Sequence, residues 1–581
     1  MKKSKKFVLA GLVLAAITMV LLPLAGCKTE VDTNSPQQEQ TKDTNDNAGT
    51  GGSDGENAGN GDNTSGGDGQ GGTQQPGGKV VEYPGPFTSF QEAVAALDAG
   101  GTLRLTADVA DVAERITIPA GKDFTLDLHG HTISGTNVGF IIEASAVFTI
   151  TDSSQGQRGA IRCHGSVDYF VSNDGTLTVS GGTIDSVDKN GIINNKKGLL
   201  IVTGGKISGG IAGVFNKGSL EMKGGAITGK NGNGVTNDGS LAVSGGTIES
   251  ELYNGVMNQG ILEVNGGTIT GEKGRGVFNS RDRTFYLSGN PTISGPLRLE
   301  SPVTLVGPLT GTGTYGVDKE SFATSVVVAV GSDAAERPYN ITEEDVGKFI
   351  GSYRMLKLED NRIVGEIFSK VVKAMEDGTT LKLIASVPDV EVINIENKRL
   401  TLDLNGFSIS GSILCFEVTS SSVFTIIDSS QGRKGTITTN DNEAVRNFAT
   451  FEVSGGTITA TGEGRSGVSN YGTLTVNGGS ITGSEGFGVD NRGTLTVSGG
   501  TITGALWLFF PVTLVGALAG GTYTVSTDHL GTDKIVAVGG SDTAEGAAYQ
   551  ITASDKDKFV VATGTVTLED NQIVWTEPAA Q

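Results

Sequence analysis

From about residue 100 onward, apolar and polar residues alternate in short runs separated by Gly, Asn, Asp or Ser. A period of two predicts half-buried strands, and no long 3.6-residue pattern interrupts it. The runs themselves recur. A Gly-Gly-x-Ile unit starts at Gly181, Gly204, Gly224, Gly245 and Gly266, then again at Gly455, Gly478 and Gly499, in steps of 20 to 23 residues. Gly289-Asn-Pro-Thr-Ile293 is a degenerate copy that ends the first series. Between units the chain reads Gly-Val-x-Asn-x-Gly-x-Leu-x-Val, as from Gly234 to Val243 and from Gly488 to Val497. Three short strands in a period of about 21 residues predict one coil of a parallel β-helix. Val, Leu and Ile then point inward, Thr, Ser, Lys and Glu outward, and the Gly pairs permit the backbone angles that corners need.

One column of these coils is polar. Asn173, Asn194, Asn216, Asn237, Asn258 and Asn279, and later Asn447, Asn470 and Asn491, fall at the same point of each period. Side-chain amides stacked in this way bond the coil above and the coil below, which is a structural use of Asn.

A second repetition lies above the coils. Thr125–Gly135 recurs as Thr401–Gly411 and Phe148–Gly156 as Phe424–Gly432, both displaced by 276 residues. Near the far ends, Pro302–Gly307 recurs as Pro511–Gly516, displaced by only 209. The difference of 67 residues is about three coils, in agreement with six Asn positions in the first copy and three in the second. The ends are matched too. Thr88-Ser-Phe-Gln-Glu92 followed by Ala93–Leu97 predicts an N-capped helix over an open first coil, and Phe368 to Met375 resembles it. Tyr339–Phe349 with Leu358–Val364 matches Tyr549–Phe559 with Leu568–Val574, predicting small closing subdomains of strands and a short helix. The expected organisation is a first β-helix over 80–310, closing subdomain 311–365, a shorter β-helix over 366–515 and closing subdomain 516–581.

The chain's beginning has a different character. Lys2, Lys3, Lys5 and Lys6 precede an apolar run from Phe7 to Leu24, which reads as a secretory signal over 1–26. Its end, Leu24-Ala25-Gly26-Cys27, resembles a bacterial lipobox. That resemblance implies cleavage before Cys27 and acylation of its thiol and new amino end, and two or more acyl chains anchor a protein stably. The alternative is an N-terminal transmembrane anchor. Residues 28–78 contain Val31 as their only large aliphatic and no aromatic, too little to offset ordering entropy. With Cys27 they form a tether over 27–79 whose span is about 40 Å. The protein is therefore expected at the cell envelope, on the surface, with the membrane as a partner through Cys27.

Composition closes off other classes. Glycine, 89 of 581 residues, is about twice as common as usual, but without a three-residue period collagen is excluded. With 43 basic and 64 acidic residues, a formal charge of -21 and no polycationic stripe, nucleic acid is not an expected partner.

The Gly-Gly-x-Ile and Gly-Val-x-Asn repeats resemble those of right-handed parallel β-helix surface proteins of the pectate-lyase-like superfamily. They are also similar to the Gly-Gly-Ala-Ile and Phe-x-x-Asn repeats of polymorphic outer-membrane adhesins, which Phe170-Val-Ser-Asn173 matches. The resemblance covers about 100–310 and 380–515 and implies an all-β, tandem right-handed parallel β-helix. It says less about activity, because one solenoid carries lyases, hydrolases and adhesins. No C-terminal run of alternating amphipathic strands suggests the membrane barrel of such adhesins; lipid anchoring takes its place.

Cleavage of an acidic polysaccharide would need carboxylates stacked on adjacent coils. The outward position between Leu and Val reads Thr178, Ile201, Glu221, Ala242 and Glu263, then Thr475 and Thr496; beside the inward Ile it reads Thr183, Lys206, Ala226, Thr247 and Thr268. Neither column gathers acids, so no catalytic residue is assigned. Asp127 and Asp403 alternate with Leu and read as solvated strand positions. His129 and His131 share the spacing of one strand face, but the second copy has Asn405 and Phe407 there, and neither a metal nor a cofactor is expected. Cys163 and Cys415, at non-equivalent places, read as buried thiols rather than a disulfide. Cys163-His164 is no nucleophile pair, because adjacent strand residues face opposite ways. The candidate binding residues are Trp507 and Phe509, sent outward by the inward phase of their Leu neighbours where the first copy has Arg298 and Glu300. Exposed aromatics stack on sugars or anchor a partner; the alternative is packing under the closing subdomain. The reading is a surface scaffold of adhesin-like or structural type, binding a host or envelope polysaccharide or protein. A polysaccharide lyase or hydrolase is the alternative, and a display scaffold of variable coil number a third.

Overall fold

A computed structural model describes residues 79–581 apart from 113–114, 166–168, 322–326, 433, 519–520, 531–532, 542–545 and 579–581. The expected signal, Cys27 and nearly all of the tether lie outside the described residues. The described chain is a right-handed parallel β-solenoid of about 19 turns with four short helices. No helix among the described residues is long and apolar enough to cross a membrane.

Each coil lays one strand on each of three faces. In the first solenoid these faces are sheets of 14, 8 and 11 strands. In the second, one face is a 10-stranded sheet and the other two are joined, because the strand Ser480–Asn491 runs through the corner that elsewhere separates them. Inside, identical side chains stack in register. Ile184, Ile207, Ile227, Ile248 and Ile269 form one such column, each 0% exposed. The corners are glycine for steric reasons. Gly246 has φ +73°, and a Cβ on Gly245 would stand 2.4 Å from the Lys223 carbonyl oxygen of the coil before.

The Asn column forms as expected. Asn173, Asn194, Asn216, Asn237 and Asn258 each donate Nδ2–H to Oδ1 of the next ladder residue at 2.7–2.8 Å, and Asn447 and Asn470 do the same at 2.7 Å. The second Nδ2 proton goes to a backbone carbonyl beyond the corner, as from Asn237 to Ile261 at 2.9 Å. Each amide thus satisfies a corner whose backbone would otherwise be buried unpaired.

Helix α1 (Phe90–Ala95) covers the first coil. The Ser89 hydroxyl accepts from Glu92 N–H at 3.1 Å while the Thr88 N–H donates to the Glu92 carboxylate at 2.8 Å, and Phe90 packs edge-on to Tyr83 and Phe140. The first closing subdomain carries α2 (Glu343–Gly347) and an antiparallel hairpin, Arg354–Glu359 with Arg362–Ile367, which extends the 14-stranded sheet. Next, α3 (Phe368–Ala374) buries Phe368 and Val372 at the start of the second solenoid without a side-chain cap. The second closing subdomain repeats the plan with α4 (Ala553–Lys556) and the hairpin Thr565–Glu569 with Gln572–Thr576. Even the polar plug is duplicated: Asp345 accepts from Tyr339 Oη at 2.6 Å and Leu309 N at 3.1 Å, and Asp555 from Tyr549 Oη at 2.7 Å and Leu518 N at 3.0 Å. The two solenoids share a junction, for Ala385 belongs to the first core and Met355 to the second.

Replacing Asn237 by Ala orphans an amide donor on Asn216 and an acceptor on Asn258, so the expected loss is about 2–6 kcal/mol. A urea titration followed by far-UV circular dichroism checks it, and an unchanged midpoint would show that the ladder contributes nothing.

Candidate functional site

The strand Thr501–Leu508 pairs with the preceding coil so that Asp490 lies beside Trp507 and Asn491 beside Leu508. Leu506 and Leu508 fill the core at 1% exposure, and Trp507 turns outward between them. It is half-buried, 4.8 Å from the Phe487 ring and 6.2 Å from that of Phe509, with the latter pair nearly parallel at 21°. Phe509 is exposed. Both predicted residues therefore sit in one cluster, with the next coil, Tyr523–Ser526, pairing alongside Trp507.

That cluster is larger than the sequence reading anticipated. The Arg492 guanidinium lies 5.1 Å from the Trp507 and Phe509 rings and 5.7 Å from Tyr471. Tyr471 stacks on Phe448 at 5.0 Å and 18°. Phe448, Tyr471, Arg492 and Phe509 each follow the last residue of an inward strand position, after Asn447, Asn470, Asn491 and Leu508, so four flat groups occupy one outer corner on four consecutive coils. Strand spacing of about 4.8 Å is a little more than ring contact, which favours face-to-face stacking. Arg492 donates Nε–H to Asp490 at 3.2 Å, an ion pair that raises its pKa and keeps the cation in place between the rings. Phe448, Tyr471, Phe487 and Arg492 were missed because the strands were read along the chain. Read down the column, the residue after each ladder Asn is Asp174, Asn195, Lys217, Asp238, Gln259 and Ser280 in the first solenoid, all polar, and the second solenoid departs from this.

Elsewhere the structure corrects two expectations. Asp127 and Asp403 are 2% and 4% exposed rather than solvated. The next coil folds a loop over each: Asp127 accepts from Ser153 N at 2.9 Å, Ser153 Oγ at 2.7 Å and Arg104 Nε at 3.0 Å, and Asp403 from Ser429 N and Oγ at 2.9 and 2.6 Å. His129 and His131 do not share a strand face, because His129 sits at φ 45° in the turn after Asp123–Asp127 while His131 follows that turn. Their rings go to different partners, Nδ1 of His129 to Ser153 Oγ at 2.9 Å and Nδ1 of His131 to Asp108 at 3.4 Å. Since Ser153 gives its proton to Asp127, the order Asp–Ser–His places the hydroxyl in the middle, unlike a nucleophilic triad with His between Asp and Ser.

Other candidate groups are absorbed by structure. Glu263 holds Arg337 through two bonds of 2.7 and 3.1 Å, and Glu221 pairs with Lys223. Cys163 and Cys415 are both free and buried, and burial pushes the Cys415 thiol up to about 12. No group of His, Cys, Asp and Glu that could hold a metal occurs among the described residues.

Against known proteins, no family model matches this chain and no curated protein does either.

Two buried acids and one half-buried acid set an acid limit. Burial alone would raise the pKa of Asp127, Asp152 and Asp428, but donors from Ser153 and Arg104, from Ser154 and Gly159, and from Gly435 and Ser430 respectively hold each below its ordinary value. Their stabilisation is complete above the unfolded pKa of about 4 and is lost as pH falls through the depressed folded value. The thermal midpoint is expected to hold from pH 7 to about 5 and to fall below about pH 4, less steeply for Asp127→Asn; an equal slope for that variant counts against this account.

Proposed function

We propose that the chain is a lipid-anchored cell-surface scaffold of adhesin-like type, a β-helix protein of the pectate-lyase-like superfamily that binds a polysaccharide or protein through the outer corner at Phe448, Tyr471, Arg492, Trp507 and Phe509. The supporting observation is that corner itself. Phe448, Tyr471 and Phe509 are 48%, 42% and 43% exposed, which costs solubility with no return to the core. Apolar flats flanking a fixed guanidinium suit a ligand with alternating C–H faces and acidic or hydroxyl groups, as in a polysaccharide. The lipobox-like Leu24-Ala25-Gly26-Cys27 supports the anchor, and the Gly-, Asn- and Asp-rich tether the display away from the membrane.

The expected outcomes are separate. Cys27→Ser moves the protein from the membrane to the soluble fraction on cell fractionation; unchanged partitioning would remove lipid anchoring. Binding to a panel of acidic and neutral polysaccharides is expected to weaken about tenfold for Tyr471→Ala or Phe509→Ala, with the unfolding midpoint unchanged. Shortened polymer on size exclusion would favour an enzyme, and binding indifferent to both substitutions would move the site elsewhere.

A further inference from the structure

In the second solenoid, the face that follows the glycine-pair corner has a composition found on no other face among the described residues. Ile409, Ile437, Ile458, Ile481 and Ile502 point inward on five consecutive coils, and the residues on either side of each point out, in register throughout. All ten outward residues carry a hydroxyl, seven Thr and three Ser. None is charged, in a chain of formal charge -21. The first solenoid uses the same face differently, with Arg162, Asp185, Lys206 and Glu249 among its outward positions.

The geometry is a grid of two columns and five rows. Rows are about 4.8 Å apart, the spacing of paired strands, and columns about 6.7 Å apart, two residues along a strand. Thr is branched at Cβ and stiff at χ1, so along such a sheet its methyls and hydroxyls repeat with little freedom. Few of these hydroxyls are committed: Thr436 donates to Ser408 at 2.8 Å and Thr501 to the Gly479 carbonyl at 3.5 Å. The ten grid positions hold no aromatic and no ionic group, the devices by which proteins hold sugars and acidic polymers; the nearest charges, Asp428 and Lys434, stand at the border of the column Thr457, Ser480 and Thr501. What matches a doubly periodic array of uncharged hydroxyls and methyls is a surface with the same periodicity, and the oxygen repeat on a prism plane of hexagonal ice is close to both spacings. We propose that this face binds ice, the hydroxyls and the water held between the methyls forming a layer continuous with the lattice. The charge-free complement selects ice over a charged polymer, and the proposal stands independently of the polysaccharide reading.

The test is ice recrystallisation in a frozen sucrose solution containing the purified full chain. The wild type is expected to arrest grain growth. Thr438→Arg, which installs the residue that the first solenoid carries at the matching position as Arg162, is expected to abolish the effect, as is Thr459→Lys. Both should retain the wild-type unfolding midpoint, and Thr247→Lys on the first solenoid should remain active. Grain growth in the wild type equal to that with an inert protein would overturn the proposal, and so would full activity in Thr438→Arg with its fold intact.

Discussion

The solenoid depends on one constraint: each coil must pair in register with the next at a rise of about 4.8 Å, so each position meets its own counterpart above and below. Only some residue types tolerate such company. Ile and Leu do so by packing, and Asn does so because an amide carries both a donor and an acceptor and can pass hydrogen bonds along a column. Like charges directly opposite repel. That is why the outward columns of the first solenoid mix signs and bond across coils, as Lys230 does with Asp185 at 3.0 Å. A solenoid thus sorts its sequence by column, and a column is the unit on which function can act.

The constraint also creates two problems at each end, unpaired strand edges and an unfilled core. The first opening is met by α1 and its aromatic contacts, and the far ends by a buried Asp holding a Tyr hydroxyl, a helix start and a backbone amide together. The first closing subdomain has a second task. Its hairpin ends one sheet while Met355 joins the core of the following solenoid and the Tyr353 N–H donates to the Pro388 carbonyl at 2.8 Å. The duplication is therefore not two beads on a string within the described region, since the end of one copy is part of the foundation of the other.

Much of this was legible in the sequence because in-register stacking writes itself as a period. The Ile column, the Asn ladder and the duplicated ends could be read from spacing, and the helices at the solenoid starts from the cap at Ser89 and the similar run at Phe368. Asp127 shows where spacing stops. Its burial depends on Ser153, 26 residues later, folding back over it, and local alternation of Leu and Asp carries no trace of that loop. His129 fails for a related reason: the turn that places it at positive φ breaks the two-residue phase before His131 is reached. Arg492 failed for a third. An arginine reads as an ordinary solvent-facing residue until its neighbours in the column are set beside it, and these are Tyr471 and Phe509, separated from it by whole coils.

The interior and exterior columns carry different information. Interior columns are nearly the same in the two solenoids, because packing and amide bonding leave few choices. Exterior columns face water and are free to drift toward mixed polar residues, as most of the first solenoid has done. In the second, the exterior departs from that default in two places, one corner column toward stacked rings around a cation and two adjacent columns of one face toward uncharged hydroxyls only. The rings gain stacking across coils but remain largely exposed to water, and the hydroxyl grid forgoes the cross-coil ion pairs used in the first solenoid. When a scaffold's folding demands are met inside, a regular departure outside that repeats over four or five coils is the feature on which both binding proposals rest.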